Sequence, residues 1–257
     1  MKTILLYILS SVVAILFGQV VAHLNKKMPP VVSEEITYKE FFKTLFKDFK
    51  IDFKYSIIFL ILFNLLIYVS LSYKNITLLS AFLYMIVISA LAITFSIDYR
   101  FQLIPDEVHV VILIAGIINF IANISIWYSY LLGALVGGAI FLGIGFLALL
   151  IFKKEGMGLG DVKLMASLGF VFGLKNILVI TITSFLFGAI IGSILIISKK
   201  KAADDYIPFG PFIAIAAVIV MFVPSDVIIE IYLSFCTWLG LKMTDVIYFF
   251  IEKFSRG

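Results

Sequence analysis

The chain has one cysteine, two histidines and few charged residues. Asp, Glu, Lys and Arg make up 14% of its 257 residues, whereas a soluble domain carries about 25%. Because Cys236 is the only cysteine, the chain cannot form an internal disulfide or a cysteine zinc cluster. Because His23 and His109 are the only histidines, it cannot form a histidine-rich metal site. The 63% of hydrophobic residues fall in continuous runs, which are typical of helical spans and not of alternating strands. The composition therefore predicts an integral membrane protein.

Eight apolar segments predict an all-α, polytopic transmembrane bundle of about eight spans. They lie near 4–24, 55–73, 77–97, 107–126, 129–152, 162–174, 177–198 and 208–223. The first is longer than a signal-peptide core and has no small-residue cleavage site, so we interpret it as a retained span. Residues 227–241 are either a ninth span or a surface helix, and 244–254 predict an interfacial tail.

Three regions follow from this pattern. Residues 1–54 hold the first span and a charged loop, 55–223 form the membrane core, and 224–257 are the tail or extra span. Aromatic residues between 38 and 49 recur at helical spacing and predict an amphipathic helix in the loop. We interpret that helix as lying on anionic lipid, with a substrate-docking surface as the alternative.

Basic residues are distributed unevenly between the two predicted sides of the membrane. Fourteen lysines and arginines fall on one side: Lys26, Lys27, Lys39, Lys43, Lys47, Lys50, Lys54, Arg100, Lys153, Lys154, Lys163, Lys199, Lys200 and Lys201. Lys2, Lys74 and Lys175 fall on the other side. Because basic loops stay in the cytoplasm, the N-terminus is predicted to lie outside.

Two aspartates are predicted at the same depth, on the cytoplasmic side. Asp98 ends the third span, and Asp161 follows the glycine-rich turn 156–160. Placing a carboxylate at the edge of a membrane costs free energy, so its presence there indicates a function. Two carboxylates held close share one proton, so that one acts as a base and the other as an acid. Singly, each has a structural explanation: Asp161 as a helix N-cap, and Asp98 as the end of its span.

Two charged neighbours also have structural explanations. Asp106 and Glu107 follow Pro105, which is typical of a helix start with acids near the positive end of the dipole. Lys163 is interpreted as an interfacial anchor.

Three motifs together resemble the type IV prepilin peptidases, which are membrane aspartic proteases of the GxGD class. Residues 97–106 (IDYRFQLIPD) are similar to the first family motif, 158–164 (GLGDVKL) to the second, and 207–212 (IPFGPF) to the Pro-Phe-Gly-Pro segment. Residues 17–24 (FGQVVAHL) are a degraded match to a further patch near the N-terminus. A lone GxGD is a weak signal, whereas this combination is specific.

The resemblance implies a catalytic pair, Asp98 and Asp161. It also implies a surrounding active-site loop set: Gly158, Gly160, Lys163, Asp106, Pro208 and Gly210. The implied activity is removal of the basic leader peptide from prepilins or pseudopilins, in which a hydrophobic helix follows the leader, at the cytoplasmic border of the bacterial inner membrane. The expected partners are these substrates and membrane lipid, and not nucleic acid.

Cofactor expectations also follow from the resemblance. Larger family members bind zinc through two Cys-x-x-Cys pairs in the first loop, and this loop has no cysteine, so no metal is expected. The peptidase needs no cofactor. S-adenosyl-L-methionine is implied only if the N-methyltransferase activity of the larger members is retained.

Two other classes of function remain open at this point. A proton-coupled transporter would also carry intramembrane acids and glycine-broken helices, although no inverted repeat is visible and the acids lie at the membrane edge. A non-enzymatic assembly factor of a pilus or secretion machine would use the aspartates only as caps.

Overall fold

The computed structural model describes residues 2–28, 51–72, 77–153, 156–199 and 207–255, and these residues form helices and short connections without strands. The helices are α1 (Lys2–Lys27), α2 (Phe53–Ser72), α3 (Leu78–Phe101), α4 (Asp106–Ala122), α5 (Trp127–Phe152), α6 (Leu159–Ile197), α7 (Gly210–Phe222) and α8 (Ser225–Ser255). A 3-10 turn at Ile124–Ile126 joins α4 to α5. The amphipathic helix predicted between 38 and 49 lies outside the described residues.

The predicted helical bundle is confirmed. Within the described part of the chain, six helices are long and apolar enough to cross a membrane, and they lie in α1, α2, α3, α5, α6 and the first part of α8. A span needs about 20 apolar residues, whereas α4 has 17 residues and α7 has 13. The predicted count of about eight spans is therefore approximate.

Helix α6 turns back on itself at Gly173. That residue has φ 77° and ψ 174°, a conformation that favours glycine. A Cβ atom built on Gly137 of α5 would lie 2.7 Å from the Met165 carbonyl oxygen and 2.9 Å from Ile177 Cγ1. Along a straight helix these two residues would be about 18 Å apart. The predicted segments 162–174 and 177–198 are thus two arms that double back.

Glycines bring the first arm of α6 against α5. A Cβ atom on Gly133 or on Gly169 would collide with the backbone of the other residue. Small residues allow such close approach between membrane helices. At the break itself, the Leu174 N–H donates to Ser129 Oγ of α5 at 3.2 Å. These contacts position the start of α6, which carries Asp161.

Polar side chains join α1 to α2. Gln19 Oε1 accepts from the Asp52 N–H at 2.9 Å, and Gln19 Nε2 donates to the Asp52 carbonyl at 3.1 Å. Deeper in the pair, Ser10 Oγ donates to Asn64 Oδ1 at 2.9 Å. Because buried polar groups are costly without partners, these bonds favour one register of the two helices.

The contacts divide the chain into two units, Met1–Phe222 and Val223–Gly257. In the second unit, α8 runs without a break from Ser225 to Ser255, so the segments 227–241 and 244–254 belong to one helix. Its part Ser225–Thr244 has the length and hydropathy of a span. Composition therefore allows the ninth-span interpretation of 227–241.

Candidate active site

Asp98 lies in the last turn of α3 and is 3% exposed. Its backbone carbonyl accepts from the Gln102 N–H at 2.9 Å, where Gln102 ends the helix with φ 56°. Its side-chain Oδ2 accepts from the Gly210 N–H at 2.9 Å. Gly210 is the first residue of α7, so the positive end of that helix faces the carboxylate. Gly210 of the motif at residues 207–212 thereby holds Asp98 of the motif at residues 97–106.

Asp161 is the third residue of α6 and is also 3% exposed. The N-cap is Gly158, with φ −71° and ψ 142°, and its carbonyl accepts from the Asp161 N–H at 3.1 Å. The structural explanation of Asp161 as an N-cap is therefore wrong. Its Oδ1 is buried and has no hydrogen-bond partner among the described residues. A buried carboxylate oxygen without a partner is unfavourable, and this oxygen is suited to meet a bound water or substrate.

The two aspartates meet at one end of the bundle. Their carboxyl groups lie close enough to interact electrostatically, although they come from α3 and α6. Two carboxylates held close together in a buried site do not both ionise freely, and such a pair can share one proton. The arrangement has the components of acid–base chemistry on a carbonyl group.

Ile104 is a site residue that sequence reasoning missed. A Cβ atom on Gly160 would lie 3.2 Å from Ile104 Cβ, and one on Gly210 would lie 3.2 Å from Ile104 Cδ1. The side chain of Ile104 therefore packs between the two glycines, beside Asp98. Ile104 stands within the first motif, but its neighbours in sequence give no signal of the two glycines that it contacts. The side chain excludes water from this side of the aspartates.

Asp106 and Lys163 form an ion pair at the rim of the site. Lys163 Nζ donates to Asp106 Oδ1 at 2.8 Å, and both side chains are exposed. Asp106 lies at the exposed start of α4, and the hydrogen bond from Lys163 lowers the pKa of its carboxyl group. The pair joins the loop after α3, which carries Ile104, to the first turns of α6. Neither charge belongs to the buried pair of aspartates.

We expect Lys163→Asp to weaken activity about two- to fivefold, because exposed ion pairs contribute about 0.2–1 kcal/mol. The reversed pair, Asp106→Lys with Lys163→Asp, should recover most of the loss. Initial rates of substrate cleavage at low salt measure both variants. If the double variant is no better than the single one, the pair does not act by joining the loop to α6.

Pro208 and Phe209 anchor the chain in front of α7. Pro208 is buried. The Phe209 ring lies 5.7 Å from the ring of Phe141 in α5 and 5.0 Å from that of Phe185 in α6. The Phe209 carbonyl accepts from the Phe212 N–H at 3.0 Å. This packing holds the start of α7, and with it the Gly210 N–H, in position against Asp98.

We expect Gly210→Ala to lower activity by about 10- to 100-fold, since small displacements at a reacting centre have effects of that size. The added Cβ atom would lie 2.6 Å from Asp98 Oδ2 and 3.2 Å from its Cγ, so the carboxylate must move. Gly192→Ala is the matched control, because among the described residues its Cβ atom meets only Ile207 Cδ1 at 3.5 Å, an ordinary contact. Rates for both variants at equal expression test this, and equal rates would contradict the tight fit.

His109 lies apart from this arrangement. It is buried in α4, and neither ring nitrogen has a hydrogen-bond partner among the residues described. In that part of the chain, no three His, Cys, Asp or Glu side chains lie close enough together to hold a metal ion.

These features define a class: a helical membrane protein with two buried, interacting aspartates at one end of its bundle. Residues 85–193 match the model of the type IV leader peptidase family. That range contains both aspartates. The resemblance that the motifs indicated is confirmed over this part of the chain.

Several curated relatives share one name, prepilin leader peptidase/N-methyltransferase. The prepilin leader peptidase/N-methyltransferase of Xanthomonas campestris pv. campestris is 39% identical over 152 residues, which cover 58% of this chain and 53% of that protein. The protein of that name from Bacillus subtilis is 34% identical over 148 residues, 57% of each chain. The one from Pseudomonas aeruginosa is 38% identical over 141 residues, 54% of this chain and 48% of that protein. This chain thus spans about half the length of the curated relatives it matches. No solved structure gives a significant match.

Proposed function

We propose that this protein is a membrane aspartic endopeptidase that removes the basic leader peptide from type IV prepilins or pseudopilins. The observation that carries the proposal is the burial and electrostatic contact of Asp98 and Asp161. Both lie in the segment that matches the type IV leader peptidase family. The relatives named as prepilin leader peptidases support the substrate class.

In the proposed reaction the two aspartates act on one water molecule and one peptide bond. One carboxylate takes a proton from water as the oxygen attacks the carbonyl carbon, and the other carboxyl group protonates the developing oxyanion. When the intermediate collapses, the C–N bond breaks, the leaving nitrogen takes a proton from one carboxyl group, and the other carboxylate takes a proton from a hydroxyl of the intermediate, which restores the starting state of the pair. Because the two groups are coupled, they titrate as one unit.

The local contacts give the two aspartates different surroundings. The Gly210 N–H stabilises negative charge on Asp98 Oδ2. Asp161 Oδ1, which lacks a partner, faces no such donor among the described residues. Gly158 carries no side chain near Asp161, which allows a peptide backbone to approach it, whereas the space beside Gly160 is taken by Ile104.

We place the site at the cytoplasmic face of a bacterial inner membrane, with the N-terminus outside. The excess of basic residues in one set of loops supports this orientation. The positions of Asp98 at the end of α3 and of Asp161 and Gly210 at the starts of α6 and α7 support a site at one membrane face.

Leader removal is the direct test. The protein is co-expressed in membranes with a prepilin, and the substrate is followed by gel shift and by the mass of its new N-terminus. A shift to the mature size that depends on this protein is the expected result. An unprocessed prepilin in the presence of folded protein would overturn the proposal and favour a transport or assembly function.

Methylation of the new N-terminus is a second candidate activity, supported by the names of the relatives. The patch at residues 17–24 does not fit a cofactor site. Gln19 bonds to Asp52 with both polar atoms of its amide, and a Cβ atom on Gly18 would lie 2.9 Å from the Tyr55 carbonyl oxygen. The patch thus joins α1 to α2. The mass of the mature N-terminus, measured with S-adenosyl-L-methionine present, distinguishes peptidase from methylating peptidase.

A further inference from the structure

An apolar groove of about 640 Å³ lies between α2, α3 and α7. On α3 its lining runs from Ile88 to Arg100, about 18 Å along the helix. Arg100 is the one charged lining residue among those described, and it follows Asp98 by two residues in sequence. The remaining lining is largely aliphatic and aromatic. The groove lies where the first two helices meet the core that carries the aspartates.

The groove and the candidate active site share the helices α3 and α7. Residues four apart lie on one face of a helix, so Gly210, Ala214 and Val218 share a face of α7. Gly210 contacts Asp98, and the other two line the groove. On α3, Leu91 lines the groove two turns before Asp98. The same two helices therefore hold the carboxylate at one end and form the groove beyond it.

We propose that this groove holds the apolar segment of the substrate that adjoins the cleaved bond, as a helix alongside α3 and α7. This inference rests on the proposed function. In a membrane, a polypeptide segment must satisfy its backbone hydrogen bonds internally, which requires a helix. About twelve residues of such a helix match the length of the groove along α3.

The lining suits a helix more than a lipid chain. Ala92 and Ser96 are four residues apart on α3, and Ala214 faces the groove from α7. Small residues at this spacing let two membrane helices approach closely. A lipid chain would not need small residues at this spacing. The competing occupant is an anionic lipid with its headgroup on Arg100.

Filling the groove provides the first test. Ala92→Trp places a large side chain in the groove, and Ala139→Trp, at an exposed position of α5 outside it, is the matched control. Two substrates are compared: a membrane-anchored prepilin, and a short peptide that spans the same bond without the apolar segment. We expect Ala92→Trp to raise KM for the anchored prepilin at least about tenfold with little change in kcat, as lost binding does. The short peptide should be cut by both variants as by the wild type.

The outcomes separate this inference from the proposed function. If Ala92→Trp has the same KM for the anchored prepilin as the wild-type protein, the groove assignment is wrong, and the proposed peptidase activity is unaffected. Failure of the wild-type protein to cut either substrate would overturn both.

Cross-linking provides a second measurement that does not depend on the folding of Ala92→Trp. In a Cys236→Ser background, Val218→Cys and, as a control, Leu142→Cys on the exposed side of α5 are paired with a prepilin that carries one cysteine in its apolar segment. Asp161→Asn keeps the substrate uncut. A cross-link at Val218→Cys alone supports the groove. Equal cross-linking at both positions, or lipid retained at Arg100 with no cross-link to the prepilin, would overturn it.

Discussion

Asp98→Asn and Asp161→Asn are each expected to lower the rate of leader removal by about 10²- to 10⁴-fold, the range for a lost acid or base. Asparagine keeps the size of the side chain, and at position 98 its amide oxygen can still accept from the Gly210 N–H. What it loses is the ability to carry and release a proton. The fold should therefore survive while the chemistry stops.

The measurement is the initial rate of leader removal at equal amounts of membrane-inserted protein. Glu230→Gln, an exposed carboxylate of α8, is the matched control and should cleave at the wild-type rate. Residues that act as a unit are not additive, so the double variant Asp98→Asn/Asp161→Asn should be little worse than either single one. Processing at the wild-type rate by either single variant would remove the aspartate pair from the mechanism.

Gly169→Ala is expected to have the largest effect on stability. Its Cβ atom would collide with the backbone of Gly133 in α5, and backbone cannot move aside as a flexible side chain can. Overpacking of this kind costs about 1–3 kcal/mol. The first arm of α6 would separate from α5, and Asp161 would move with it. We therefore expect both a lower unfolding temperature in detergent and a loss of cleavage.

Gly143→Ala is the control for this variant. It lies in α5, and a Cβ atom there would meet no atom within 4 Å in the part of the chain that the structure describes. Replacing a helix glycine with alanine under those conditions is neutral or stabilises by up to about 1 kcal/mol. Equal unfolding temperatures for Gly169→Ala and Gly143→Ala would show that the contact of α5 and α6 tolerates a methyl group.

The sequence indicated the two aspartates and not how the structure holds them. Asp98 and Asp161 stand at the edges of apolar runs, where charged groups are costly, and within two motifs of the family resemblance; their catalytic role stays a prediction. The hydrogen bond from Gly210 to Asp98 could not be predicted, because it joins a backbone N–H to a side chain more than a hundred residues away. Ile104 was missed for a related reason. An isoleucine before a proline has no local signal of the two glycines that it contacts.

The sequence alone determined that this is a helical membrane bundle, because in lipid each long apolar run must satisfy its own backbone hydrogen bonds. It also indicated the two aspartates. The tertiary structure decided the reversal of α6 at Gly173, the contact of α5 with α6 through Gly133 and Gly169, and the groove that leads away from Asp98. These features depend on which helices approach one another and how closely. The packing between segments that are distant in sequence determines which helices approach one another, and a local pattern of residues does not predict that packing.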